Sequence, residues 1–379
     1  MPRPLFGLLA HLGVVLAFSL VPLACSRQEQ ATRKPASAEV VTKPSASGPK
    51  PQPVEPPGLK VEHKDSAMGT SLHFVAYTNA RVDSVAARAA FIAATDEMRR
   101  LETILSEWRP ETELSRVNRS AGEWTAVGDE LFTVLEKSLW ASRISDGTFD
   151  VTFQVMSDVW KFGTSQDAQP KLPERREIER RRKLIDYRRV ELDAAARRVR
   201  LPASFRIGLG GIAKGYIVDR AAAVLRRAGL DAFLVQAGGD LYGAGKKPDG
   251  SAWVSGVQDP RGATGSFFAA IELEDHAFST AGDYARSFMV GGRRYHHIID
   301  PRTGYPASAS RSVTVWATDA FTADAIDDAV FILGPEKGLK LVESLQGVGA
   351  VIVDRDNHVH VSQRLQGKVE ILKPPTAGD

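Results

Sequence analysis

Positions 296 to 306 read His296-His297-Ile298-Ile299-Asp300-Pro301-Arg302-Thr303-Gly304-Tyr305-Pro306. Two imidazoles, a carboxylate and a guanidinium sit on a backbone stiffened by two prolines, so the loop offers a proton acceptor beside phosphate-seeking donors. Upstream lies Gly208-Leu209-Gly210-Gly211-Ile212-Ala213-Lys214-Gly215-Tyr216. Its glycines let a ligand approach the backbone, and a lysine follows where a helix begins. The spacing matches neither the Walker pattern nor the dinucleotide fingerprint, and a tight strand-to-helix turn explains it equally. Downstream, Asp324 and Asp328 fall on one face of a predicted helix whose Ala325, Ala329, Val330, Ile332 and Leu333 are apolar. Carboxylates in a buried helix are costly unless paired. A divalent cation would remove that cost, and all-oxygen ligands favour Mg²⁺ or Ca²⁺ over zinc. The alternative is a solvent-facing acidic turn favoured by the helix dipole. Asp327 lies off that face, in a supporting position. Together these segments point to a phosphorylated cofactor handled with a divalent metal.

Two shorter motifs are open to two readings each. Gly238-Gly239-Asp240 follows the apolar run Ala232 to Val235 and reads alone as a hairpin turn. In Gly147-Thr148-Phe149-Asp150-Val151-Thr152, Asp150 either accepts bonds from a ligand or caps the next helix.

The elements that must position these residues follow from periodicity. Asp83 caps a predicted helix to about Leu105, with Val85, Ala89 and Ile92 as its apolar positions. Asp129 caps a second, carrying Leu131, Leu135 and Leu139 and stopping at Gly147. Ile217, Ala221, Val224 and Leu225 stripe a third that ends at Gly229, and Thr322 opens a fourth that ends at Gly334. Strands are expected at Leu72 to Tyr77, Ala232 to Val235, Ser312 to Ala317 and Val348 to Val353. Helices and strands mix without a strict βαβ rhythm, which predicts an α+β class. In Glu174 to Lys183 the charges interleave without aromatics, as on a solvated helix face.

The net charge of +3 over 379 residues gives no argument for nucleic acid, and the length suits one large domain or two smaller ones. Cys25 is the sole cysteine, so no internal disulfide forms. Arg3, the apolar run Leu5 to Leu20 and Ala24 make a signal peptide over 1–24. Val21-Pro22-Leu23-Ala24-Cys25 resembles a bacterial lipobox, with Pro22 departing from the usual aliphatic residue; a single membrane anchor or a simple secretory signal are the alternatives. Residues 25–58, rich in Pro, Ser, Ala and Lys, read as a disordered tether, 59–372 as the folded domain and 373–379 as a flexible tail. The body is expected on the periplasmic side of a bacterial membrane, lipid-anchored at Cys25.

Read in series, the motifs resemble the FAD:protein FMN transferases, the ApbE-type flavin transferases. The elements are Ala67 to Thr70, Leu105 to Arg109 with Ser115 to Asn118, and Gly147 to Thr152 leading to Trp160-Lys161-Phe162-Gly163. They continue with Gly208 to Asp219, Gly238 to Asp240, Ser279 to Tyr284, His296 to Pro306 and Ala323 to Gly334. The resemblance implies a single large mixed α/β domain that moves FMN from FAD onto a Thr/Ser hydroxyl of an acceptor protein and releases AMP. It implies FAD contacts at Met68, Trp108, Thr148, Phe149, Asp150, Gly208, Lys214 and Ile299. Mg²⁺ would be held by the Gly211 carbonyl, Asp324 and Asp328. His297 is the candidate base, because a free imidazole titrates near neutrality. Acceptors of the family carry a Ser/Thr-Gly-Ala-Ser/Thr motif in membrane redox subunits. Two departures stand out. Gly208 replaces a usual Asp, which removes one polar contact worth roughly 0.5–1.5 kcal/mol; Asp328 replaces a frequent Thr and adds negative charge for the metal. A metal-dependent FAD pyrophosphatase and a non-catalytic flavin-binding lipoprotein use the same residues and remain open.

Overall fold

The computed structural model describes residues 57–162 and 171–378. The expected signal peptide, Cys25, the expected tether up to residue 56 and Gly163 lie outside the described residues. The strand-like runs join one eight-stranded sheet in the order Lys60–Ala67, Thr70–Tyr77, Phe233–Ala237, Asp240–Ala244, His276–Gly282, Ser310–Ala317, Gly349–Asp354, Val359–Val361. Every neighbouring pair is antiparallel. Side chains alternate between the two faces of a strand, and here both faces are buried. Phe74, Val313, Val315, Ala350 and Ile352 enter one core, while Val75, Trp316, Val351 and Val353 enter another.

The helices in chain order are α1 (Ser84–Leu105), α2 (Glu113–Arg119), α3 (Asp129–Ile144), α4 (Arg175–Arg182), α5 (Ala213–Arg227) and α6 (Ala320–Ser344). α1, α5 and α6 roof the first face of the sheet and pack on one another. A three-stranded sheet of Trp253–Gln258, Phe267–Leu273 and Val369–Ile371 covers the second. This is an α+β arrangement, as expected. Residues 373–378, expected as a tail, run along that second layer, where Thr376 donates through its Oγ1 to Asp259 at 2.7 Å.

Helix ends follow local chemistry. Asp83 caps α1 by accepting from the Ala86 N–H at 2.8 Å, as predicted. In α3 the cap is Gly128, not Asp129; Asp129 sits in the first turn, where its charge suits the helix dipole. α5 ends at Gly229, whose φ of +91° terminates the helix. In α6 the cap is Asp319, three residues before the expected start, and it takes the Thr322 N–H at 2.6 Å. Gly334 breaks α6 as predicted, with φ +73°, but helical structure resumes at Pro335. α4 is a solvated helix that buries only Ile178.

Two tight hairpins lie side by side at one end of the sheet. Met68-Gly69 links the first two strands, with φ of +53° and +67°, the signature of a type I′ turn. Gly238-Gly239 links the next pair, and the Gly238 N–H donates to the Ser71 carbonyl at 3.0 Å. This end carries Asp240.

Candidate active site

The first half of α6 is buried on all sides, including Asp324 and Asp327. Its start is fixed by Asp219 of α5, which accepts the Ala320 and Phe321 N–H groups at 2.9 Å each. α5 crosses it at Gly215. A Cβ on Gly215 would lie 2.6 Å from the Asp324 Cβ and closer still to the Ala320 carbonyl. Only glycine permits that approach. The contact lets the Gly215 N–H, one of the orphan donors of the α5 N-terminus, bond the Asp324 carboxylate at 2.8 Å.

Lys214, the preceding residue, reaches Asp240 at 2.5 Å and Asp324 at 3.5 Å. Asp240 also accepts from Ser279, whose hydroxyl bridges to Asp327 at 2.7 Å. Four carboxylates therefore gather around one ammonium. Burial opposes the charge on Lys214, but Asp240 and Asp324 outweigh it and raise its pKa. Burial first, then the neighbouring carboxylate Asp240, pushes Asp324 up to about 7. Burial likewise pushes Asp328 up to about 6, and burial with Asp328 and Asp324 nearby holds Asp327 well above the usual carboxylate range. The cluster is short of positive charge. The Asp328 carboxylate also has no hydrogen-bond or ion-pair partner among the described residues, and it lies against Gly211, 2.8 Å from where a Cβ would stand. Among the described residues no three His, Cys, Asp or Glu side chains could hold a metal alone. A cation here needs a further ligand from outside these side chains. The donor set, hard and negatively charged, fits Mg²⁺.

The glycine turn is a set of gaps filled from elsewhere. Gly208 faces Gln154, Gly210 faces Glu107, and Gly211 faces Asp328 and the Phe149 ring. Glu107 accepts the Leu209 N–H at 2.7 Å and so ties the segment before α2 to the turn. Burial raises its pKa.

The two histidines differ in kind. His296 is 3% exposed and its ring is fully engaged: Nε2 bonds the Ala307 carbonyl at 2.8 Å and Nδ1 accepts the Ile298 N–H at 3.3 Å. That pattern sets the tautomer with the proton on Nε2. His297 has a buried Nδ1 without a partner. Burial first, then His296 and the cationic Arg286, lowers its pKa to about 4. The imidazole is therefore neutral at physiological pH, with a nitrogen free to take a proton.

A sequence profile of the ApbE family matches residues 68–352. The chain belongs to the ApbE family. The FAD:protein FMN transferase of Treponema pallidum is 32% identical over 287 residues, 72% of this chain and 78% of that protein. The enzyme of that name from Vibrio cholerae is 31% identical over 256 residues, 67% of this chain and 76% of its own. Among solved structures, the ApbE protein of Thermotoga maritima aligns with a TM-score of 0.74 at 33% identity, over 82% of this chain and 99% of that one. The apo flavinyl transferase ApbE of Pseudomonas stutzeri gives 0.72 at 26%, over 82% and 97%.

The remaining residues singled out by resemblance to the ApbE family divide. Phe149 and Gly211 touch, and Lys214, Asp324 and Asp328 form the cluster. Met68 stands in the I′ turn, its N–H on Glu102 at 3.0 Å. Ile299 is buried in a small core with Trp160 and Ile178. Thr148 gives its hydroxyl to the Ser145 carbonyl at 2.8 Å. Asp150 is the N-cap of a short 3₁₀ turn: its oxygens take the Thr152 N–H, the Thr152 hydroxyl and the Tyr187 N–H at 2.6–2.9 Å. Both its oxygens thus accept bonds within the protein, and they order the surrounding backbone. Trp108 is 71% exposed and bonds the site only through its neighbour Glu107. Asp283 pairs with Arg261 at 2.6 Å and Arg302 with Asp300 at 2.7 Å, so both stabilise loops. Sequence reasoning missed Glu107, Gln154, Asp240 and Ser279 as members of the site. Asp240 was visible in Gly238-Gly239-Asp240, but its partner Ser279 lies 39 residues away.

Proposed function

We propose that this chain is an FAD:protein FMN transferase, which moves the FMN moiety of FAD onto a Thr or Ser hydroxyl of an acceptor protein and releases AMP. The observation that carries the reading is the Asp328 carboxylate and the Lys214–Asp324 pair beside one glycine turn, with His297 near enough to feel the Lys214 charge, in a chain of this family. Asp324, Asp328 and the Gly211 carbonyl would hold Mg²⁺, which when bound neutralises pyrophosphate charge. His297 takes the proton from the acceptor hydroxyl. The hydroxyl oxygen then bonds to the FMN phosphorus as the bond from that phosphorus to the AMP oxygen breaks. Lys214 and the N-terminal amides of α5 receive the negative charge that leaves with AMP. The Ser279 bridge and Asp240 fix the position of the ammonium. The leader and Cys25 support a lipid anchor facing the periplasm, and the acceptor is a membrane redox subunit with a Ser/Thr-Gly-Ala-Ser/Thr motif.

Incubation with FAD, Mg²⁺ and a short acceptor domain bearing that motif, scored by intact mass, tests the proposal. A flavin adduct that survives denaturation is expected, and EDTA should abolish it. Free FMN plus AMP with an unmodified acceptor would instead identify a pyrophosphatase, and FAD binding without AMP release a flavin carrier.

A further inference from the structure

The glycine turn is met by several polar side chains, and their states differ. Glu107 is bonded to the Leu209 N–H, and Asp328 belongs to the carboxylate cluster. Gln154 belongs to neither. It is 8% exposed, and its carboxamide makes no hydrogen bond among the described residues. Its Oε1 lies 2.5 Å, and its Cδ 3.0 Å, from where a Cβ on Gly208 would stand. The carboxamide thus occupies the space that any side chain at 208 would need. Its backbone is firmly held, because Gln154 belongs to the 3₁₀ turn capped by Asp150 and the neighbouring Val151 carbonyl takes the Gly208 N–H at 2.9 Å.

Neither of its polar atoms is shut off from solvent, so the carboxamide keeps its hydrogen-bonding capacity free for an incoming group. A ligand that displaces water from it can take up those bonds. A carboxamide carries both donors and an acceptor but no charge, so it complements a neutral polar group rather than a phosphate. Phosphate is the business of Lys214 on the other side of the turn.

We infer that Gln154 is a specificity-determining contact for a neutral donor–acceptor group of the flavin dinucleotide, reached across the bare backbone of Gly208. The inference rests on the transferase reading for the identity of the ligand. It also explains why position 208 lacks a side chain: Gln154 delivers the polar contact from the opposite segment, and a side chain at 208 would expel it.

Quenching of flavin fluorescence on titration with the protein measures FAD affinity. Gln154→Met keeps the volume and removes the hydrogen bonds, and Gln154→Ala is the second variant should Met pack poorly. Both are expected to bind FAD about 3- to 10-fold more weakly, the worth of one ordinary hydrogen bond. The melting temperature should not fall with Met. Competition by FMN and by ADP then shows which half of the dinucleotide carries the loss. If the parent binds FAD and both variants bind it equally well, Gln154 makes no such contact and this inference is overturned alone. If the parent binds no FAD, the transferase reading fails with it.

Discussion

Gly215→Ala places one methyl group where α5 crosses α6. The added carbon would start 2.6 Å from the Asp324 Cβ, with the Ala320 carbonyl nearer still. Carbon atoms settle near 3.5–4.0 Å, so the two helices must part by about 1 Å. Neither neighbour is the free end of a side chain, and relief has to come from backbone. Overpacking of this kind costs roughly 1–3 kcal/mol. The same movement stretches the 2.8 Å bond from the Gly215 N–H to Asp324, and hydrogen bonds to a charged group are worth roughly 1.5–3 kcal/mol. A total of about 2.5–6 kcal/mol is expected. Urea denaturation followed by tryptophan fluorescence reads the stability, and calorimetric titration with Mg²⁺ reads the site. Both should fall together, since one displacement moves the core and Asp324 at once. A variant within about 1 kcal/mol of the parent and with unchanged Mg²⁺ affinity would refute the claim that this glycine sets the spacing of the site.

Replacing His297 with Ala should lower transfer by ~10²–10⁴-fold in kcat while FAD binding is retained, and equal losses in both would argue for a structural histidine. In the parent at saturating Mg²⁺, the acid limb of the rate profile should lie near pH 4, set by His297, and not near 6.5, whereas at low Mg²⁺ protonation of Asp324 and Asp328 should move it up. Mg²⁺ should stabilise the fold more at pH 8 than at pH 5. The raised carboxyls of Asp324 and Asp328 bind protons more tightly folded than unfolded, so the metal-free protein loses stability as pH rises from about 4 through about 7, and a cation offsets the loss; urea midpoints with EDTA and with Mg²⁺ at both pH values give the comparison. Arg261→Ala leaves Asp283 buried without its bidentate partner and should cost about 3–5 kcal/mol in urea melts, whereas a paired apolar replacement of both should restore most of it.

The legible parts of this fold are those written in short range. The Asp83 cap, the Gly229 stop, the Gly334 break and the 324/328 spacing depend on residues within one or two helical turns of each other. The strands were legible as apolar runs, but their neighbours were not. Ser310–Ala317 lies between strands that begin at His276 and Gly349, a pairing no local pattern encodes. The site shows the same limit. His297 and the aspartates announce themselves by type, while Glu107 meets Leu209 across 102 residues and Gln154 meets Gly208 only through the fold. Gly215 was read as room for a ligand and proves to be room for a helix, because sequence says that a glycine is needed without saying what comes close. Asp150 had two readings of equal merit, and the local one, the cap, is what its oxygens do.

The large sheet ends in two outer strands, and neither is an inviting template. Lys60–Ala67 carries Lys60, Glu62, His63, Lys64 and Asp65 along an edge with only Val61 and Ala67 buried, and Val359–Val361 is three residues long. Charged or very short borders discourage another chain from adding itself as a further strand. Along this sheet an incoming polypeptide is thus denied the simplest way of docking, by backbone pairing along its length. A hydroxyl carried on a turn or an exposed loop reaches the site without needing such a border, and its selection then falls to the few side chains flanking it.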